Sequence, residues 1–433
     1  MSVAVPSRRA TELGLAALVA VIVIGAYVLT SLAELSDLPA DLGAFLAMIL
    51  GLLVAAHVAV RRLAPHATPV LLPLAATLNG LGFVLVARLD RDLGRVQALW
   101  IAVAVLAFVS VLVAVPRVRV LERYRYTLAL LGVGALMLPL APGIGREAYG
   151  SRLWLRVGPL NFQPGEAAKL LLVIFLAAYL VEKRELLSIG TRRVGRLLLP
   201  DPRHLGPLLA AWGVSLVIMV MQKDLGSSLL FFAVFLAMLY VATARLSYLV
   251  AGSALFAAGA VTAFMLFSHV QDRVDVWLDP WPDIGGRGQL LQALFSFGSG
   301  GVAGTGLGLG SPTKIPQVAT DFVFAAAGEE LGLLGATAII LLYALLVGVG
   351  LGIALRARQP FAQLLAAGLT AIFGFQTFII LGGVTRLIPL TGITLPFMSY
   401  GGSSLVVNFM ILALLIRISH EAVGAEPASA PAL

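Results

Sequence analysis

From Gly332 to Leu355 the chain reads GLLGATAIILLYALLVGVGLGIAL, 24 residues without a charge. A helix of that length rises about 36 Å, enough to cross a hydrocarbon core of roughly 30 Å. Similar apolar blocks, each about 16–24 residues long, recur along the whole chain between short polar or basic stretches. So much apolar surface cannot be buried in one soluble core. Of the 433 residues 60% are hydrophobic and 12% charged, against roughly 45–50% and 25% in soluble domains. The fold class is all-α, a polytopic integral membrane protein.

Twelve spans are expected, over about 13–32, 42–60, 69–87, 98–115, 126–141, 167–181, 206–221, 225–243, 247–268, 323–355, 361–382 and 399–417. The first is read as a membrane helix, since no small-residue cleavage site follows the apolar block. With the N-terminus inside, 18 of the 30 Lys and Arg residues fall on the cytoplasmic side, including RVRVLERYR (117–125) and RRVGR (192–196). That agrees with the positive-inside rule, and the opposite orientation would export both clusters. The expected location is the plasma membrane, with both termini cytoplasmic. The net charge of +8 thus reports topology, not nucleic-acid binding. Cysteine is absent, which excludes disulfides, thiolate nucleophiles and Cys-based metal sites. His57, His66, His204, His269 and His420 lack ligand spacing.

Three polar segments face outward: 143–166, the QKDLG turn (222–226) and a stretch from about 269 to 322. The last is too long for a plain connector. Its QLLQALFSF pattern and its Trp277, Trp281, Phe295 and Phe297 argue against disorder. The expected organisation is an N-terminal set of spans over 1–125, a membrane core over 126–420 holding the external loop 269–322, and a disordered tail over 421–433.

Polar residues at the outward ends are the functional candidates. Glu166 and Lys169 lie three apart on one helical face behind Pro164. They form either a local ion pair worth a few tenths of a kcal/mol or part of a site, as intramembrane Lys residues commonly do. Asp224 opens DLGSSLLFF, as a helix N-cap or with a direct role. The run GSGGVAGTGLGLG (298–310) lacks the GxxxxGK[ST] pattern and a strand-helix context, so it is no nucleotide loop. Its amides could still cradle an anion, and Arg152, Arg156, Arg287 and Lys169 could clamp phosphate. Asn79, Gln376 and Asn408 are polar residues within spans.

Four motifs in order give a resemblance to the SEDS (shape, elongation, division and sporulation) family, the FtsW/RodA proteins. FQPGEAAKLLL resembles its FQPSE..K signature and QKDLGSSLL its QPDLG turn. GSGGVAGTGLGLGSPTKIPQVATDFVFAAAGEELGLLG resembles its glycine-rich loop and TDFIFA..GEELG helix, and PLTGITLPFMSYGGSS its LP.TG..LPF.S.GGSS ending. Departures are Gly165 for Ser, Lys223 for Pro, Asn161 before FQP, and Ala319 for His. The family has ten spans, so the resemblance implies two extra spans in the N-terminal third.

The resemblance implies a peptidoglycan glycosyltransferase that polymerises lipid II at the outer membrane face, for elongation or division. Its partners would be lipid II, a class B penicillin-binding protein and membrane lipids. A lipid-linked donor loses pyrophosphate as an acceptor hydroxyl attacks its anomeric carbon, and one inversion calls for one general base. On the resemblance Asp321 is that base. Lys169 and Arg152 hold pyrophosphate, Glu166 orients Lys169, Asp224 supports, and Gln163 and Ser399 join as motif residues at the substrate. Glu329 and Glu330 are read as supporting, and Thr320-Asp321 as a helix cap. A divalent cation, Mg or Mn, is compatible with this chemistry, although no ligand spacing demands it. A lipid II flippase and a non-catalytic scaffold are the alternatives.

Overall fold

The computed structural model describes residues 8–35, 42–141, 145–148, 151–157, 160–188, 192–194, 197–199, 213–281 and 288–424. Among these, ten helices are long and apolar enough to cross a membrane. They are α1 (Arg8–Leu35), α2 (Leu42–Leu63), α3 (Leu71–Leu89), α4 (Arg91–Ala114), α7 (Pro164–Ser188), α9 (Leu225–Thr243), α10 (Leu246–Leu266), α13 (Val323–Arg356), α14 (Pro360–Val384) and α15 (Gly402–Gly424). The fifth expected span is a shorter apolar helix over Arg125–Leu140, of which α6 is Arg125–Met137. Of the seventh, only 213–221 (α8) lies within the described residues. The chain is a multi-pass membrane protein. α5 (Arg119–Arg123), α11 (Ser268–Leu278) and α12 (Gln289–Gly300) complete the helices.

The polar segment at 143–166 forms a small antiparallel sheet of β1 (Gly145–Ala148), β2 (Ser151–Val157) and β3 (Leu160–Phe162). β4 (Arg192–Val194), within the RRVGR cluster, pairs with β5 (Leu197–Leu199) just after it.

The chain divides into two compact units. The first comprises 1–118, 283–358 and 394–433, the second 119–282 and 359–393. The segment 269–322, one loop by sequence, is thus shared between them. In the first unit α15 packs on α4, α3 on α1 and α4, and α13 on α3 and α12. Asp90 starts α4, accepting from the Asp92 and Leu93 amides at 2.8 and 3.0 Å. α15 is almost wholly buried, so its polar residues need partners inside the protein. Arg417, counted by sequence as a topological charge, is only 5% exposed. Its guanidinium donates to the carbonyls of Leu63 and Leu112, in the last turns of α2 and α4. Glu421 accepts from the Val118 amide at 2.8 Å, which carries α15 into the expected tail. The tail beyond Gly424 lies outside the described residues. In the second unit α7 packs on α6, α9 and α14, and α9 on α10 and α14.

α13 is not the single uninterrupted helix that its apolar run suggests. Gly332 breaks it with φ 66°, ψ −167°, a region open essentially only to glycine. The amides of Leu333 and Leu334, past the break, donate to the carbonyls of Gly301 and Val302 at 2.9 and 3.1 Å. A Cβ at 332 would stand 2.2 Å from the Gly304 nitrogen. Gly332→Ala is therefore expected to destabilise by about 1–3 kcal/mol from backbone strain alone, before any steric clash is counted. The thermal midpoint of the detergent-solubilised protein checks this, and an unchanged midpoint would remove the argument.

Candidate active site

The second unit gathers a buried charged group. Pro164 opens α7, its φ being set for a first helical turn, which puts Glu166 where a carboxylate complements the helix dipole. Lys169 Nζ lies 2.8 Å from Glu166 Oε2. This is not a solvated helix pair, because Lys169 is 3% and Glu166 7% exposed. Lys169 Nζ also donates to Gln376 Oε1 of α14 at 3.0 Å. An ammonium has three N–H donors, and two of them meet these partners among the described residues. Lys169 borders a small, otherwise apolar pocket lined by Leu172, Val173 and Leu176 of α7, Leu230, Phe231 and Val234 of α9, and Ile372 of α14.

Asp224 caps α9 by accepting from the Ser227 amide at 2.9 Å. Glu166 and Lys169 both act on it electrostatically, and desolvation raises its carboxyl above the ordinary Asp range. The capping and site readings of Asp224 therefore coexist. The turn before it depends on Gln222, whose Nε2 donates to the Leu136 carbonyl at 2.6 Å, and on Lys223 at φ 59°. Proline, locked near φ −65°, could not take that conformation, so this turn differs from one built on QPDLG. Gln163, half-buried, offers its carbonyl to the Glu166 amide at 3.2 Å. Arg152 is exposed on β2, opposite Glu147 of β1, and Arg156, also exposed, stands opposite Asn161. Arg287 lies outside the described residues.

Asp321 and Ser399 belong to the first unit. Asp321 is half-buried in the turn before α13, its amide donating to the Gln317 carbonyl at 3.2 Å. The helix starts one residue beyond the expected Thr320-Asp321 cap. The N-cap is Phe322, with no side-chain cap bond, and Thr320 Oγ1 instead donates to Gln317 O at 3.0 Å. The Tyr400 amide donates to Ala319 O at 2.8 Å, which ties the TDF segment to the PFMSYGG segment. Non-glycine residues with left-handed φ stand on both sides of this junction, Gln317 at 58° and Phe397 at 66°. Such residues persist where surroundings over-determine the backbone, commonly at functional sites. Phe397 is 1% exposed, and its carbonyl accepts from Asn79 Nδ2 at 3.2 Å. Ser399 is buried, and its hydroxyl accepts from the Leu395 amide at 2.9 Å, closing its own turn.

The glycine-rich run is ordered by carboxylates. Glu329 Oε1 accepts from the Ser311 amide at 2.7 Å and Glu330 Oε2 from the Gly308 amide at 3.1 Å. The supporting role expected of these two residues agrees with those bonds. Sequence reading missed Arg88 and gave Gln376 no place beside Lys169. The signal for each was a polar residue within or at the end of an apolar helix, which names no partner. Among the described residues no three His, Asp or Glu side chains gather as a metal cage, so they do not fit a cation site made by protein alone.

Comparison with known proteins bears on the family. The family model FTSW_RODA_SPOVE, described as Cell cycle protein, matches residues 70–423. Peptidoglycan glycosyltransferase RodA of Mycobacterium tuberculosis is 46% identical over 429 residues, covering 96% of this chain and 92% of that protein. Stage V sporulation protein E of Bacillus subtilis is 37% identical over 288 residues, covering 66% and 76%. Among solved structures, a chain from a study of polymerisation and crosslinking by a peptidoglycan synthase complex aligns with TM-score 0.67 at 27% identity, covering 82% of this chain and 98% of that one. The Thermus thermophilus rod shape determining protein RodA aligns with TM-score 0.58 at 28% identity, covering 83% and 98%. The match reaches back through α3 and α4, where the sequence offers no motif to name. Four ordered motifs, ten membrane-length helices and a family match over most of the chain lead to one identification: this protein is a member of the FtsW/RodA/SpoVE family.

Proposed function

We propose that this protein is a peptidoglycan glycosyltransferase that polymerises lipid II into glycan strands at the outer face of the plasma membrane. The activity class follows from the family and from relatives bearing that name. The observation that carries the site is the buried Glu166–Lys169–Gln376 group beside Asp224. A cation desolvated in this way suits a departing pyrophosphate.

Asp321 accepts the proton of the acceptor sugar hydroxyl as its oxygen bonds to the donor's anomeric carbon. The bond from that carbon to pyrophosphate breaks, and the lipid-linked pyrophosphate leaves with the electron pair. Lys169 and Arg152 neutralise it, and Glu166 and Gln376 hold Lys169 in place. Gln163, Ser399 and Asp224 shape the segments that meet substrate. A class B penicillin-binding protein is the proposed partner, in keeping with the synthase complex named for one structural neighbour.

The deciding experiment is polymerisation of labelled lipid II by the purified protein, alone and with its partner. Glycan strands support the proposal. Lipid II crossing the bilayer without strand formation would replace it with transport. A divalent cation is proposed only as a companion of the substrate's own pyrophosphate, the usual manner of Mg²⁺. Strand synthesis is expected to fall in EDTA and return with added Mg²⁺ or Mn²⁺, and full activity in EDTA would remove the cation.

A further inference from the structure

Arg88 ends α3 in the first unit, and no sequence pattern singles it out. Its side chain is 9% exposed and that of Glu330 0%, with Arg88 Nε 2.5 Å from Glu330 Oε1. Arg88 Nη2 donates to the carbonyls of Gly310 at 2.8 Å and Gly308 at 3.3 Å. The Gly308 amide donates back to Glu330, and the Ser311 amide to Glu329. The amides of Thr305 and Gly306 donate to the backbone carbonyls of Glu329 and Glu330, each at 3.0 Å. One guanidinium and two carboxylates therefore grip the loop through its own backbone.

Stability alone does not account for such a group. A buried ion pair is commonly matched or exceeded by apolar residues of similar volume. What the charged pair supplies is a fixed geometry. The gripped run contains seven glycines between 298 and 310, a backbone with too much freedom to hold one shape unaided. The helical stretch that it grips, from Val323 to the break at Gly332, begins two residues after Asp321.

We propose that Arg88 is a positioning residue for polymerisation. By locking the glycine-rich loop to the first part of α13, it fixes the direction in which Asp321 is presented. This rests on the reading of Asp321 as the base.

The test uses the full chain, with its partner protein where activity needs it. Arg88→Met alone leaves the Glu330 charge buried and is strongly destabilising, so the decisive variant is Arg88→Met/Glu330→Met, which removes both charges. It is expected to melt within a few degrees of the wild type, because apolar replacement of a buried pair is tolerated. Hydrogen exchange at 304–311 should rise about tenfold or more. The turnover number should fall about tenfold or more, with KM changed less than about threefold. Arg88→Lys keeps the charge but not the two-pronged grip and should lie between. Wild-type exchange or wild-type turnover in the double variant would overturn the proposal. If the wild type makes no glycan, the functional reading fails, and the exchange data still decide whether Arg88 holds the loop.

Discussion

Replacing Asp321 by Ala is expected to lower glycan polymerisation by about 10²–10⁴-fold, the usual contribution of a positioned general base. Lipid II affinity should change little, since a base acts on the acceptor hydroxyl mainly in the transition state. The surroundings of Asp321 favour this outcome. Its segment is tied to the PFMSYGG segment through the Tyr400–Ala319 bond, between two residues in left-handed backbone. Asp321→Asn supplies the control, keeping the shape and removing the basic oxygen. Equal strand yield from wild type, Ala and Asn variants would sink the assignment, and equal losses of folded protein would show a structural role instead.

The second large effect concerns Lys169. Lys169→Met leaves Glu166 charged and buried without a partner, expected to cost about 3–5 kcal/mol of stability. Its melting midpoint should fall and its strand synthesis should be lost. Lys169→Met/Glu166→Leu removes both charges, so its stability should recover most of the way while synthesis stays absent. Recovery of both would reduce the pair to an architectural element. Gln376→Leu completes the series by removing one acceptor from Lys169 and should weaken turnover by about tenfold, as expected for a hydrogen bond to a charged group. Combined with Lys169→Met it should add little further loss, since coupled residues are not additive.

Much of the architecture was legible because helix length against bilayer thickness is a nearly one-dimensional constraint. The spans of α1, α4, α9 and α14 can be drawn from hydropathy, and Pro164 and Asp224 mark the starts of α7 and α9 in local terms. The Glu166–Lys169 pair was legible too, being a matter of three residues on one helix. Gln376 was not, because it lies 207 positions from Lys169 and no periodicity links α7 to α14. Arg88 was hidden for the same reason, 242 positions from Glu330. The break at Gly332 was masked by an uninterrupted apolar run, since hydropathy is blind to φ.

By itself the sequence determined that the chain crosses a membrane many times, what family of motifs it carries, and which carboxylates stand at helix thresholds. These follow from composition, charge and short-range spacing. Tertiary structure alone decided what those groups do to one another. Glu329 and Glu330 hold a glycine-rich backbone, Asp224 caps α9 while feeling Glu166 and Lys169, and Arg417 is a buried guanidinium satisfying two helix ends, not a free charge. Desolvation is the physical reason. Whether a charge is a solvated ornament or a fixed instrument depends on what surrounds it, and segments far apart in the chain supply those surroundings.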